Sequence, residues 1–144
     1  MNNDFINKKI KNLIPKYRNA KFKHNGRSLE EGIDCLGFII LFYREFGVDI
    51  PNDDGRPIEE DWYKKEPDRY IRAIKNMNLK EVKVKDLQPL DMVYFAVSRN
   101  IITHTGIMIN KRQFIHMSPK SGFLISKLER HWLRRFRGAM RIIE

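Results

Sequence analysis

One cysteine and four histidines are the side chains of this sequence best suited to nucleophilic chemistry: Cys35, with His24, His104, His116 and His131. Cys35 lies in the stretch Gly32-Ile33-Asp34-Cys35-Leu36-Gly37-Phe38-Ile39-Ile40. Asp34 is a strong helix N-cap there, because its carboxylate can accept from the unpaired N–H groups of a first turn. The apolar run from Phe38 to Phe42, with Phe46, then supplies a buried helix, and Gly47 stands where a C-terminus favours left-handed backbone. The pattern predicts a helix from Asp34 to about Phe46 with Cys35 as its first residue. That end of the macrodipole is positive, which lowers a thiol's pKa and makes thiolate available near neutrality. A lone cysteine is more often a small packing residue than a nucleophile, so the reading depends on its partners.

Two histidines qualify as partners. His104 to Ile109 and Gln113 to Met117 are β-prone and flank Asn110-Lys111-Arg112, a three-residue hairpin loop. With Ile109 paired to Gln113, His104 falls opposite Ser118 and His116 opposite Gly106. Both imidazoles then project from one face as diagonal neighbours. One can serve as base for a thiol while the other fixes its tautomer, the nucleophile–base–orienter logic of triads. Two histidines and one cysteine without CxxC or HxxxH spacing make a poor metal set, so neither metal nor cofactor is expected.

The surrounding elements must hold these groups. Residues 2 to 14 place Phe5, Ile6, Ile10, Leu13 and Ile14 among lysines, a short amphipathic helix expected to end before Pro15. Residues 16 to 31 read as irregular, with Asn25-Gly26 a turn. Val48 to Pro51 leaves the cysteine helix in extended form, and Asn52 to Pro57 is a polar loop. Residues 58 to 78 have the spacing of one or two surface helices broken at Pro67, with Trp62, Tyr63, Tyr70, Ile71 and Ile74 on the buried side. After Leu87 strands dominate: Met92 to Val97, the two arms of the hairpin, Phe123 to Leu128 and Gly138 to Ile143. Helices first and a meander of about five antiparallel strands after indicate an α+β fold with segregated elements.

The 144 residues, 42% of them hydrophobic, suffice for one domain with one core. A single cysteine excludes an internal disulfide. The polar start from Met1 to Lys11 has no secretory-signal pattern, and no stretch is long enough to span a membrane. Synthesis in the cytoplasm is the corresponding expectation. The formal charge of +10, from 28 Lys and Arg against 18 Asp and Glu, favours acidic polymers. The basic residues are mostly scattered, with clusters at Lys8–Lys23 and Arg130–Arg141, and no nucleic-acid motif accompanies them. A solvated basic face is the plainer reading.

Four motifs in order resemble those of the NlpC-type, papain-like cell-wall cysteine peptidases. Asp34-Cys35-Leu36-Gly37, with Tyr43 and Gly47-Val48-Asp49-Ile50-Pro51, resembles the family's Asp-Cys-Ser-Gly helix. Leu87-Gln88-Pro89-Leu90-Asp91-Met92-Val93-Tyr94-Phe95 is similar to its Leu-x-Pro-Gly-Asp-Leu-Val-x-Phe strand. His104-Thr105-Gly106-Ile107-Met108-Ile109 is similar to His-Val-Gly-Ile-Tyr-Ile, and Phe114-Ile115-His116-Met117-Ser118 to Phe-Ile-His-Ala-Ser. The resemblance covers about residues 20 to 143. It implies a papain-like fold, N-terminal helices packed on a C-terminal antiparallel sheet. It also implies a catalytic set of Cys35, His104 and His116.

The same resemblance implies hydrolysis of bacterial peptidoglycan stem peptides through a thioester, usually at the bond from γ-D-glutamate to a diamino acid. Asp34 to Gly37, Phe22-Lys23-His24 and Trp132-Leu133-Arg134-Arg135 are most similar to the branch encoded with phage tails and gene-transfer particles. Phage tail proteins are therefore expected partners, on a virion that acts at the cell wall. Phe22, His24, Asp34 and Leu36 are the expected substrate- and oxyanion-site residues. Leu36 departs from the family's serine, Leu90 from a glycine and Phe22 from a tyrosine, which removes one hydroxyl donor near the oxyanion. Two other functions are compatible with the fold: a tail-tip structural hub that uses it for docking, and an amidase or acyltransferase on a non-wall substrate.

Overall fold

The computed structural model describes residues 2–51, 71–98 and 101–143. Helix α1 spans Asn3–Tyr17, and the Asn2 side chain caps it by accepting from the N–H groups of Asp4 (2.7 Å) and Phe5 (3.3 Å). It runs past Pro15, where the sequence pattern had placed its end. Proline forfeits its N–H bond to the carbonyl one turn back and crowds that carbonyl, here of the exposed Lys11, which water can satisfy. The last turn is held instead by Tyr17, 1% exposed, whose ring meets Phe38 at 5.5 Å and Phe42 at 5.4 Å. Burial of that ring outweighs one missing bond.

Two-residue strands β1 (Arg27–Ser28), in the stretch from 16 to 31 expected to be irregular, and β2 (Gly32–Ile33), just after it, pair antiparallel. Helix α2 follows, Cys35–Arg44, ending two residues before Phe46 with Gly47 at φ 79°. The expected helical region from 58 to 78 lies largely outside the described residues, as do the Asn52–Pro57 loop and Trp62, Tyr63 and Tyr70. Its described remainder holds a one-turn helix, α3 (Arg72–Lys75), with Ile71 and Ile74 buried as their spacing predicts.

The C-terminal half is a five-stranded antiparallel sheet of β3 (Asp91–Ser98), β4 (Ile101–Met108), β5 (Gln113–Ser118), β6 (Gly122–Lys127) and β7 (Phe136–Arg141). Its order is β6-β5-β4-β3-β7, so four strands meander and the fifth returns to the far edge beside β3. The return carries helix α4, Arg130–Arg135, where the sequence pattern indicated no helix. Six residues are too few to show a 3.6-residue period, and Glu129 makes no side-chain cap there. The Asp91 carboxylate locks β7 in place: Arg141 donates to it through Nε (3.0 Å) and Nη2 (2.9 Å), and the Gln88 N–H through 2.8 Å.

Both faces of the sheet are covered. Met92, Tyr94, Ile107, Ile115 and Met117 face the helices and join Phe38, Ile39, Phe42 and Tyr43 in the larger core. Val93, Phe95, Met108 and Phe114 form a smaller core on the opposite face, overlaid by Trp132 and Phe136.

Candidate active site

The Asp34 carboxylate sets the start of α2. It accepts from the Gly37 N–H at 2.7 Å, the Asn25 N–H at 2.9 Å and Arg27 Nη1 at 2.9 Å. Asn25 takes the left-handed conformation, φ 62°, which Asn adopts more readily than most residues. The 24–27 turn is thereby tied to the first turn of the helix. Gly37 completes the joint, since a Cβ there would collide with the Gly26 carbonyl oxygen. With both carboxylate oxygens engaged and 3% exposure, Asp34 holds the frame on which Cys35 sits.

Cys35 is the first residue of α2 and 7% exposed. Its Sγ lies 3.9 Å from the carbonyl oxygen of Thr103, the residue before His104. Leu36 points into the larger core at 3% exposure. Phe22 forms an isolated parallel bridge with Ile33, two positions before the cysteine, and its half-buried ring packs against the same core. His24 is exposed in the adjoining turn, and His131, exposed on α4, accepts from Arg135 Nη1 at 3.0 Å.

The two remaining histidines meet. His104 Nε2 and His116 Nδ1 are 2.6 Å apart, in rings 4.8 Å between centroids and nearly perpendicular. The hairpin register brings this about: Ile107 faces Ile115 and Met108 faces Phe114, with the Ile109 N–H donating to the Gln113 carbonyl at 3.0 Å. The ladder between β4 and β5 ends there, so His104 lies beyond it on a stretch of β4 paired to β3 alone. Beside it, β3 shifts register between Phe95 and Ala96. At this end of the sheet the thiol from the helical side approaches the Thr103–His104 backbone.

The histidine pair is walled by aromatic rings. Trp132 stacks on His104 at 5.3 Å and 24°, and meets His116 edge-on at 5.0 Å. Phe114 lies 4.6 Å from His116, and Phe95 packs on both Phe114 and Trp132. Gly106 makes room for this wall, because a Cβ would stand 2.6 Å from Phe114 Cδ2. Burial pushes the His104 pKa down to about 4 and that of His116 to about 3, the latter helped by the nearby His104. Both rings are therefore neutral near pH 7, and a neutral imidazole is the form that can accept a proton.

Two neighbours of the pair escaped the residue-by-residue reading. Ser126 Oγ is 2.7 Å from His116 Nε2, from a strand whose only sequence signal was β propensity. Trp132 was visible as part of the segment Trp132-Leu133-Arg134-Arg135, but its place over the histidines depends on α4 and the crossing to β7. Among the described residues, no group of three or more metal-ligating side chains is gathered.

This arrangement of a helix-start cysteine and a histidine pair on adjacent strands invites comparison with known proteins. The model of the NlpC/P60 family matches residues 19–141. The chain belongs to the NlpC/P60 family. The murein DD-endopeptidase MepS/murein LD-carboxypeptidase of Escherichia coli K12 is 27% identical over 140 residues, which is 96% of this chain and 64% of that protein. The tail tip assembly protein K of Escherichia phage lambda is 27% identical over 114 residues, 76% of this chain and 54% of that protein. The chain thus spans less than two thirds of the length of these relatives. Among solved structures, an NlpC/P60 family protein from Bacillus cereus superposes with a TM-score of 0.71 at 22% identity, over 96% of this chain and 40% of that one. The NlpC/p60 domain of peptidoglycan hydrolase SagA gives 0.65 at 16% identity, over 98% and 99%. The family's papain-like α+β fold is the fold of this chain.

Proposed function

We propose that this protein is a cysteine peptidase that hydrolyses peptidoglycan stem peptides, with Cys35 as nucleophile, His104 as base and His116 as the group that orients the base. The observation that carries the reading is the buried 2.6 Å His104–His116 bond, with the Cys35 Sγ 3.9 Å from the carbonyl oxygen of Thr103, the residue before His104. With Nε2 of His104 committed to His116, Nδ1 is the ring nitrogen left for the thiol. Proton transfer from Cys35 to Nδ1 generates thiolate and imidazolium together, and the thiolate attacks the scissile carbonyl. The oxyanion that forms is stabilised by N–H groups at the start of α2, Cys35's own among them. Collapse breaks the C–N bond, the leaving amine takes the proton from His104, and a thioester remains. Water deprotonated by His104 then attacks the thioester and releases the thiol.

Support for the wall substrate comes from the family and from the printed name of a relative, a murein DD-endopeptidase/LD-carboxypeptidase. The bond proposed is that from γ-D-glutamate to a diamino acid, in free or lightly cross-linked stems. The basic balance of the chain, +10, suits attraction to an anionic wall. Association with a phage tail is the proposed setting, supported by the likeness to the lambda tail tip protein. The test is incubation with purified muropeptides and mass analysis of the fragments. Products cut between γ-D-glutamate and the diamino acid are expected. Cleavage of glycan bonds, or no cleavage by the intact protein, would refute the reading.

A further inference from the structure

The histidine pair can act as a base in only one arrangement of its protons. A neutral imidazole has one N–H and one bare nitrogen, and what its neighbours do with one decides the other. If Nδ1 of His104 is to take the thiol proton, it must be bare, so the hydrogen of His104 sits on Nε2. That hydrogen is donated across 2.6 Å to His116 Nδ1, which must therefore be an acceptor. The hydrogen of His116 is then on Nε2, 2.7 Å from Ser126 Oγ. The opposite chain starts with Ser126 donating to Nε2. It leaves the hydrogen of His104 on Nδ1, the nitrogen that the proposed mechanism needs bare to take the thiol proton.

We propose that Ser126 is a positioning residue: its hydroxyl oxygen accepts from His116 Nε2–H and so selects the proton arrangement in which His104 is a base. This rests on the reading of Cys35 and His104 given above. The register of the sheet supports it. His116 faces Leu124 and Phe114 faces Ser126 across β5 and β6, so Ser126 sits diagonally from His116 on the same face. His116 is 0% exposed and closed in by Phe114 and Trp132, which leaves bulk water no direct route to Nε2. Ser126 is half-buried, so its own hydrogen can be donated outward to solvent while its lone pairs face the ring. An N–H left unpaired at a buried position is costly, whereas a hydroxyl hydrogen in water is not.

The experiment combines tautomer-resolved ¹⁵N NMR of the histidines near pH 7 with steady-state kinetics on muropeptides, for the wild type, Ser126→Ala and Ser126→Thr. The wild type is expected to carry Nε2–H on both rings. Ser126→Ala is expected to shift His116 toward Nδ1–H and to lower kcat about tenfold, the worth of one hydrogen bond, with KM within about twofold. Ser126→Thr, which keeps the hydroxyl, is expected to restore most of kcat and the wild-type tautomers. Nδ1–H on His116 in the wild type overturns the proposal, and so does a Ser126→Ala protein with unchanged kcat and tautomers. If Ser126→Ala does not fold, the wild-type tautomers and the Ser126→Thr rate still decide. A wild type that cleaves no muropeptide yet shows Nε2–H on both rings, lost in Ser126→Ala, sinks the peptidase reading and leaves Ser126 as the tautomer-setting group.

Discussion

The two faces of the sheet are both buried, yet they are buried for different ends. On the helical side, Phe38, Ile39, Phe42 and Tyr43 of α2 pack on Met92, Tyr94, Ile107, Ile115 and Met117. Tyr43 Oη donates there to the Leu90 carbonyl at 2.8 Å. On the other side, rings of Phe95, Phe114 and Trp132 enclose two imidazoles, joined to each other and to Ser126 by short hydrogen bonds. An apolar face has only contact area to lose. A face holding titratable groups in a dry wall also responds to protons, because the environment that orders the rings opposes their charging. The fold therefore supplies stability from one side and a buried, neutral imidazole pair from the other, with the Cys35 Sγ 3.9 Å from the carbonyl oxygen of Thr103, the residue before His104.

Substitutions at these residues are expected to have the largest effect. Cys35→Ala should abolish muropeptide cleavage, and His104→Ala should lower kcat/KM by about 10²- to 10⁴-fold, the usual worth of a general base. His116→Gln, which can still accept from His104 Nε2, should keep part of the activity. A His104→Ala protein as active as His116→Ala would reverse the assigned roles.

The helical face should answer through stability instead. Phe38 is fully buried against Tyr17, Phe42 and Phe123. Phe38→Ala should cost about 3–5 kcal/mol in urea unfolding at neutral pH. A loss below about 1 kcal/mol would show that α2 is anchored by something other than this cluster.

Acid separates the faces by a third route. His104 and His116 titrate near pH 4 and 3 in the fold but near 6.5 when unfolded. The unfolded chain thus binds protons first as pH falls. The contribution of the pair to stability is complete above about pH 6.5 and is lost progressively as the pH drops through 4 toward 3. Urea midpoints followed from pH 7.5 to 4 should decline in the wild type. In His116→Gln the decline should be shallower, and an identical slope would show that carboxylates rather than this pair control it.

The smallest effect is expected at Phe22, whose ring belongs to the helical core while its position adjoins the cysteine. Phe22→Tyr should raise kcat with KM nearly unchanged, by less than the ~100-fold that a well-aimed oxyanion donor is worth. Should kcat fall instead, the ring serves packing alone and another group already fills the donor's place.

Much of this follows from local chemistry in the chain. Asp34 followed by Cys35 and an apolar run specifies a capped helix with a thiol at its positive end, because capping and helical periodicity are properties of neighbours in sequence. The loop Asn110-Lys111-Arg112 sets the hairpin register by its length, and with period-two alternation that alone puts His104 and His116 on one face. What the chain order could not specify were contacts between distant segments. Pro15 reads as a stop until Tyr17 finds Phe38 and Phe42. The final strand reads as the end of a meander, but Arg141 is drawn to Asp91 and so pairs β7 with β3. That crossing lays Trp132 over the imidazoles, and the β5–β6 pairing sets Ser126 against His116. Dryness and lowered pKa both arise from those non-local contacts, since burial is a property of the packed chain and not of any stretch within it.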